Sequence, residues 1–318
     1  MEPDHCALCG EPLDTGWYVC RACGENNDPV ALERESDFVQ IPSSVNLDQL
    51  GAWSQAKHEI LEKYAAAYTT ILKKRPEIRR IIYIDAFAGA GVAEDRESGT
   101  LIDGSAIRVA DVKPPFDELH FVELDPGKAE LLAKTTERDS RVHVHNGDAE
   151  QILRRDILPR CRYEDYARAL CLLDPYGLSV DWKLIDAIGH MRSVEIFFNF
   201  MVMGANRNVL WSDRSKVPPS RLKLMDRVWG DRTWESAAYQ QSEPDLFGTV
   251  EQKAPNEQLM EAYRKRLKDV AGFKFVPEPV PMRNTRRATV YYMFFASPNK
   301  TANKIVTDIF SRYRQREV

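Results

Sequence analysis

The segment IIYIDAFAGAG (81–91) decides the fold of this chain, because a short apolar run ends there in an acidic residue and a glycine-rich turn. Three further apolar runs also end in polar residues: LHFVELDP (119–126), VHVHNGDAE (142–150) and ALCLLDPYG (169–177). Each run has the length of a buried strand. Because the polar residues follow the strands, they are expected at the carboxyl edge of a parallel sheet, where ligands bind in open α/β folds.

Predicted strands and helices alternate outward from this segment. The pattern predicts strand 80–85, helix 104–111, strand 118–124, helix 127–137, strand 141–146, helix 149–158, strand 169–174, helix 181–190 and strand 194–200. A helix over 53–75 precedes them, and helix 255–270, strand 273–280, strand 288–296 and helix 300–314 follow. Such alternation is typical of parallel βα units. We therefore expect a doubly wound α/β fold with a mostly parallel, seven-stranded sheet and a late antiparallel hairpin.

The chain is expected to have three parts. Residues 1–26 are rich in cysteine, and residues 27–46 lack sustained periodicity, which is typical of a linker. Residues 47–318 form the main domain. Within it, residues 204–253 are polar and contain two adjacent prolines, so we expect a partly ordered insertion outside the core.

Composition indicates an ordinary globular protein, with 43% hydrophobic and 29% charged residues. No apolar stretch is long enough to cross a bilayer and no signal peptide is evident, so we expect a cytoplasmic protein without a membrane partner. The net charge of −4 is unevenly distributed. Residues 258–318 hold 13 Arg and Lys against five Asp and Glu, a net charge of about +8, which favours a polyanionic partner such as nucleic acid.

Two Cys-x-x-Cys-Gly motifs lie near the amino terminus and contain Cys6 and Cys9, then Cys20 and Cys23. Four thiolates at this spacing predict a structural Zn²⁺ ion in a small zinc ribbon or knuckle. An iron centre or a redox pair is an alternative, whereas a disulfide is disfavoured in a reducing compartment. The module is too short for a hydrophobic core, so metal binding would have to stabilise its fold.

A glycine-rich turn follows the first predicted strand of the sheet. Gly89 and Gly91 let the backbone pass close to a ligand, where a Cβ atom would collide. Phe87 belongs to the same turn, and we expect it to contact that ligand. A dinucleotide site would have a third glycine at the position of Glu94, so the sequence disfavours pyrophosphate binding.

Three carboxylates end successive strands around this turn, and together they favour a cationic ligand over a phosphate. S-adenosylmethionine (SAM), a sulfonium cofactor, fits this charge. Glu123 is expected to accept hydrogen bonds from its ribose hydroxyls and Asp148 from its adenine amine, with Asp85 near its ammonium group. Any one of these acids alone would be interpreted as an ordinary surface residue.

The turn Asp174-Pro175-Tyr176-Gly177 ends the fourth predicted strand. Enzymes that methylate exocyclic amines of bases need a carboxylate and a backbone carbonyl to hold the amine, and an aromatic ring to stack on the base. Asp174, the Pro175 carbonyl and Tyr176 fit these catalytic roles. An ordinary strand-to-helix turn is the simpler alternative.

With these motifs, the chain resembles the three-Cys-motif partner (TcmP) proteins. The matching stretches are WSQAKHEILEKYAAAYTTILKKR (53–75), YIDAFAGAG, GSAIRVA (104–110), FVELDP, NGD, LLDPYGL and FNFMVMGANRN (198–208). The resemblance covers about residues 46–318 and implies a Rossmann-like, class I methyltransferase domain. The family is named after the cysteines of a radical-SAM-type protein that is encoded nearby in the genome. The resemblance therefore also implies such a protein as a partner.

The resemblance also implies roles for residues outside the pocket. Lys57 would belong to the helix that closes the SAM site, although a solvent-facing position on that helix is an equal alternative. Arg207 and Asn208 would lie near the target. We expect the basic tail, including Arg283, Arg286 and Arg287, to bind the phosphate backbone.

The target base stays open. The Asp-Pro-Tyr-Gly turn also resembles the fourth motif of tRNA N2-guanine dimethyltransferases, whereas adenine-N6 enzymes have a second proline that this chain lacks.

Three functions are consistent with these sequence patterns. The leading hypothesis is SAM-dependent methyl transfer to an exocyclic amine of an RNA or DNA base. The second is a non-catalytic or weakly SAM-binding protein on a methyltransferase scaffold that docks the radical-SAM-type partner. The third is a methyltransferase for a small molecule or a protein.

Overall fold

The computed structural model describes residues 17–20, 38–42, 45–241 and 251–315. Strand β1 (Trp17–Cys20) pairs antiparallel with β2 (Phe38–Ile41), which lies within the expected linker. Of the predicted zinc ligands, Cys6, Cys9, Cys23 and the side chain of Cys20 lie outside the described residues. The zinc site therefore stays a prediction from the cysteine spacing.

A seven-stranded sheet forms the centre of the protein. Its strands are β4 (Arg80–Asp85), β7 (Glu118–Glu123), β8 (Val142–Asn146), β9 (Ala167–Leu173), β10 (Val194–Phe200), β13 (Val280–Arg283) and β14 (Thr289–Ala296). They lie in the order β13-β14-β10-β9-β4-β7-β8. Strand β14 pairs antiparallel with both of its neighbours, and the other pairs are parallel. The predicted doubly wound, mostly parallel sheet is confirmed.

Helices cover both faces of this sheet. They are α1 (Ala52–Leu72), α2 (Ser105–Ala110), α3 (Pro126–Thr136), α4 (Ala149–Ile152), α5 (Trp182–Met191), α6 (Val202–Asn208), α7 (Pro219–Trp229), α8 (Trp234–Ala238), α9 (Asn256–Asp269) and α10 (Lys300–Gln315). Helices α1, α2 and α10 share one apolar core, and α5, α7, α8 and α9 share the other. A π-helical turn, Leu153–Ile157, continues α4.

The two cores explain why the strands are apolar on both faces. In β4, Ile81 and Tyr83 are buried in the core under α1, whereas Ile82 and Ile84 are buried in the opposite core. Successive side chains of a strand point to opposite faces, so a strand covered by helices on both sides has no polar face. This is why the sequence shows continuous apolar runs.

Short strands form two smaller sheets. Strands β3 (Gln49–Leu50), β5 (Val92–Asp95) and β6 (Leu101–Asp103) form one, and β11 (Tyr239–Gln241) pairs with β12 (Glu251–Lys253) in the other. None of these strands is evident from the sequence, because two to four residues are too few to show a periodic pattern.

Part of the stretch 204–253 belongs to the core, so the expectation of an insertion outside the core is wrong for its described residues. Met225, Trp229 and Trp234 are buried with the core on the α5 and α9 side. Trp234 Nε1 also donates a hydrogen bond to Asp226 Oδ1 at 2.9 Å. The buried residues of α7 share one helical face, and the charged residues on its exposed face conceal that pattern in the sequence.

The predicted strand over 273–280 is also wrong. Only Phe275 forms an isolated bridge, with Ser297, and strand β13 begins at Val280. Pro277 and Pro279 lack the amide hydrogen that a continuous ladder requires.

The chain order reverses beside β4. From β4 the chain continues to β7 and β8 on one side, and it then returns to form β9 on the other side of β4. Such a reversal leaves a crevice at the carboxyl ends of the two central strands. The glycine turn follows β4 and Asp174 follows β9, so both lie at this crevice. Within the described residues, no helix has the length and apolar character needed to span a membrane.

Candidate active site

A cavity of about 360 Å³ lies at the crevice between β4 and β9. Seven residues predicted from the sequence line it: Lys57, Phe87, Gly89, Gly91, Asp174, Pro175 and Tyr176. The volume falls within the usual range for small-molecule sites. The structure therefore brings the glycine turn and the Asp-Pro-Tyr turn together around one space.

The Asp174 carboxylate is held by two side chains from other elements. Oδ2 accepts a hydrogen bond from Lys57 Nζ on α1, and Oδ1 accepts one from Asn199 Nδ2 at the end of β10, at 2.6 Å. The Lys57 side chain is only 8% exposed, so its interpretation as a solvent-facing residue is excluded. Both charges are partly removed from water, which costs free energy. The attraction between them offsets part of that cost.

Tyr176 presents an aromatic ring beside this carboxylate. It lines the cavity, and 67% of its surface is exposed. Lys128 Nζ lies 5.8 Å from the ring centroid and also forms an ion pair with Asp48, another lining residue. The ring is therefore placed at the mouth of the cavity with one cation nearby.

Two of the three predicted SAM-binding carboxylates support the glycine turn. Glu123 Oε2 accepts a hydrogen bond from the Gly89 amide at 2.8 Å. Asp85 is fully buried and accepts hydrogen bonds from Ser105 Oγ at 2.6 Å and from the Phe87 amide at 3.2 Å. Neither carboxylate lines the cavity. Both carboxylates instead accept hydrogen bonds from the backbone of the turn, and it is the glycines of this turn that line the cavity.

Asp148 has a different position from the other two carboxylates. It precedes α4 and its Oδ1 accepts a hydrogen bond from the Gln151 amide at 2.9 Å, so it acts as the helix N-cap. Its side chain is exposed and does not line the cavity.

Two site residues were not identified from the sequence. Asn199 interrupts the apolar strand VEIFFNF, and a buried amide in such a run is a usable signal for a function. His58 lines the cavity, is buried, and its Nδ1 has no hydrogen-bond partner among the described residues. Burial, with the positive charges of Lys57 and Arg108, lowers the pKa of His58 well below its usual value, so the ring is neutral. No described residue satisfies the hydrogen-bonding capacity of Nδ1.

The predicted substrate-binding arginines lie near the same edge of the sheet. Arg207 is exposed in the last turn of α6, which follows β10. Arg283 ends β13, and the exposed Arg286 and Arg287 lie in the turn before β14. Val290 and Tyr291, the second and third residues of β14, line the cavity. Asn208 lies in α6 and its side-chain amide donates to the Gly204 carbonyl at 2.9 Å.

Asp85 is expected to make stability depend on pH. Burial raises its pKa from 3.8 to about 6, although the hydrogen bonds from Ser105 and Phe87 oppose this shift. Between these two values the unfolded chain loses the proton while the folded chain keeps it, so the free energy of unfolding falls as pH rises toward 6. In Asp85→Asn the contribution of this carboxyl is removed, so the free energy of unfolding should fall less over this range than in the wild type. Denaturant titrations of both proteins between pH 4 and pH 7 measure it, and parallel pH profiles would contradict the assignment.

Comparison with known proteins finds similarity in structure alone. No protein-family model matches the chain, and no curated protein sequence matches it. Membership of the TcmP family therefore stays a prediction from the sequence motifs.

Several solved structures are similar to this chain over much of its length. LPL1258 from Legionella pneumophila is 12% identical, with 82% of this chain and 92% of that chain covered and a TM-score of 0.44. Trm1 from Pyrococcus horikoshii, in complex with SAM, is 11% identical, with 84% and 61% covered and a TM-score of 0.43. TYW2 from M. jannaschii, also in complex with SAM, is 13% identical, with 77% and 75% covered and a TM-score of 0.32.

Proposed function

We propose that this protein is a SAM-dependent methyltransferase that acts on an exocyclic amine of a nucleic-acid base. One observation carries the proposal: Asp174, oriented by Lys57 and Asn199, lies beside an exposed Tyr176 in the cavity that contains the glycine turn. An amine-binding group and a base-stacking ring are thus adjacent to a candidate cofactor pocket.

The cavity residues fit SAM. Gly89 and Gly91 have φ values of +64° and +78°, which other residues rarely adopt, so the turn requires glycine. Both residues line the cavity. His58 Nδ1 is a buried polar atom without a partner among the described residues. Phe87 and the backbone at Gly89 and Gly91 would hold the cofactor, with His58 as a hydrogen-bonding partner. Glu123 would act indirectly, through its hydrogen bond with the Gly89 amide. SAM would supply an electrophilic methyl group bonded to a positively charged sulfur.

The Asp-Pro-Tyr turn would position the target amine. A carboxylate oxygen has two lone pairs, so Asp174 can accept from the amine while it still accepts from Lys57 and Asn199. The Pro175 carbonyl would accept the second amine hydrogen, and the nitrogen lone pair would then point into the cavity. Tyr176 would stack on a base taken out of its strand. Orientation and the exclusion of water would contribute most of the rate enhancement.

The charge around the cavity favours a nucleic-acid substrate. Arg207, Arg283, Arg286 and Arg287 are exposed on segments that lie at or next to the carboxyl edge of the sheet. Arginines at the edge of a site that receives a base would contact the flanking phosphates.

SAM binding is the first test of the proposal. Isothermal titration of the full chain with SAM, and separately with its demethylated product, should show one site per chain for each ligand. Both ligands contain the adenosine and amino acid groups that the cavity would bind, so neither should fail to bind. If circular dichroism shows a folded chain that binds neither compound, the protein is not a methyltransferase. The non-catalytic scaffold that docks a radical-SAM-type protein then becomes the better explanation.

A further inference from the structure

A second cavity, of about 850 Å³, lies at the amino-terminal edge of the same sheet, away from the Asp174 turn. Separate segments meet there: the end of α1, the loops before β9 and β10, the loop after α9, and the start of α10. The lining residues that matter here are Tyr68, Arg168, Arg192, Glu195, Lys274 and Lys300. No residue lines both this cavity and the candidate active site.

Four positively charged side chains line the cavity. Arg168, Arg192, Lys274 and Lys300 line it, and within the described part of the chain none of them forms an ion pair. Arg168 is held in place because its guanidinium lies 4.0 Å from the Tyr163 ring centroid and Nη1 donates to the Ala167 carbonyl at 2.7 Å. Four like charges in one concavity repel each other and create a positive potential, and an anionic ligand would reduce this repulsion.

The inner wall of the cavity contains a polar atom that lacks a partner. Tyr68 is 6% exposed, and its buried hydroxyl forms no hydrogen bond with any described residue. Burial raises the pKa of Tyr68 well above its usual value, and Glu195 raises it further, so the group stays an O–H donor. A buried donor without an acceptor is unfavourable. Tyr68 lines the cavity, and the charges that act on its hydroxyl include those of Glu195 and Arg168, two other lining residues.

Two acidic residues also line the cavity, Glu164 and Glu195. Glu164 is exposed and forms an ion pair with Arg162 at 4.0 Å, which offsets its charge, and Glu195 opposes an anion only weakly. The Glu195 carboxylate accepts hydrogen bonds from the Tyr64 hydroxyl and, at 3.0 Å, from Ser297 Oγ. Burial raises the pKa of Glu195 to about 7, so near neutral pH it has less negative charge than an exposed glutamate.

The start of α10 adds a further feature that favours anions. This helix has 16 residues, and both its first residue, Lys300, and the preceding Asn299 line the cavity. Asn299 Oδ1 accepts from the Thr301 amide at 2.8 Å and so caps only one of the free amides. The partial positive charge of a helix N-terminus adds to that of the side chains.

We propose that this second cavity binds a phosphate ester of nucleotide size. The phosphate oxygens would contact Arg168, Arg192, Lys274 and Lys300, and an acceptor atom of the ligand would accept from the Tyr68 hydroxyl. A free nucleotide and the end of a nucleic-acid strand offer the same phosphate chemistry. The inference does not depend on the proposed methyl transfer, because the two cavities share no lining residue.

Titration calorimetry on the full chain tests this inference with two probes, ADP and a 5′-phosphorylated RNA tetranucleotide. Three variants are compared with the wild type: the double variant Arg192→Ala/Lys300→Ala, Tyr68→Phe, and Lys304→Ala. Lys304 is exposed on the same helix as Lys300 but does not line the cavity, so it is the matched control for surface charge. Thermal unfolding of each variant checks that it is folded.

At least one probe should bind the wild type, and the double variant should bind it at least tenfold more weakly. Tyr68→Phe removes only an unpaired hydroxyl, so it should weaken binding several-fold without loss of stability, and Lys304→Ala should bind normally. Binding of ADP alone would identify a free nucleotide as the ligand, and binding of the tetranucleotide alone would identify a strand end. The inference is overturned if neither probe binds, if Lys304→Ala weakens binding as much as the double variant, or if Tyr68→Phe binds like the wild type.

Discussion

Asp174→Ala is expected to lower the rate of methyl transfer by about a thousandfold, while the affinity for SAM stays nearly unchanged. The carboxylate would orient the target amine, and alanine offers no acceptor in its place. Lys57, whose side chain is 8% exposed, would lose its counter-charge, so some loss of stability should accompany the loss of activity. Single-turnover rates with labelled SAM and titration calorimetry on the same preparation separate the two effects.

A suitable control for this substitution lies in the same connection. Asp181 precedes α5, and its Oδ1 accepts a hydrogen bond from the Lys183 amide at 2.8 Å, but it does not line the cavity. Asp181→Ala should cost about 1 kcal/mol of stability as a lost helix cap and leave the transfer rate unchanged. Full activity of Asp174→Ala, or loss of SAM binding in a folded Asp174→Ala protein, would contradict the role given to Asp174.

Trp234→Ala is expected to destabilise the protein by about 3–5 kcal/mol, because it removes a fully buried aromatic side chain. It also removes the hydrogen bond to Asp226. Leu224→Ala, on α7 in the same region, is the control, since Leu224 is 39% exposed and its loss should change stability by about 0.5 kcal/mol or less.

Denaturant titrations of both proteins give the comparison directly. Similar small changes for Trp234→Ala and Leu224→Ala would show that residues 204–241 are not integrated into the core. A large change for Trp234→Ala alone would show that this region folds together with the sheet.

The sequence predicts the central sheet well because its strands are buried on both faces. Once helices are predicted on either side, a run such as IIYID is difficult to interpret as anything but a buried strand. The observed bounds of β4, β7, β8, β9 and β10 are all close to the predicted ones. Elements without such a pattern are missed. In α7 the buried residues are separated in the sequence by charged ones, so the apolar face is not evident. Strands β3, β5 and β6 are too short to show any periodicity.

The candidate site is only partly predictable for a related reason. Strand ends are evident from the sequence, but the contacts of the side chains there are not. Glu123 ends its strand as expected, yet its carboxylate accepts from the Gly89 amide, and Asp148 caps a helix. Asn199 contacts Asp174 because the β9–β10 register pairs Leu173 with Phe198, and that register cannot be inferred from the sequence.

The most direct measurement is transfer of a labelled methyl group from SAM to nucleic acid. The full chain is incubated with labelled SAM and either total RNA or genomic DNA, which is then digested to nucleosides and separated. We predict label in a nucleoside methylated on its exocyclic amine, from one of the two nucleic acids, and no such label with Asp174→Ala. Absence of label from both nucleic acids, with a wild-type protein that binds SAM, would contradict the proposed function.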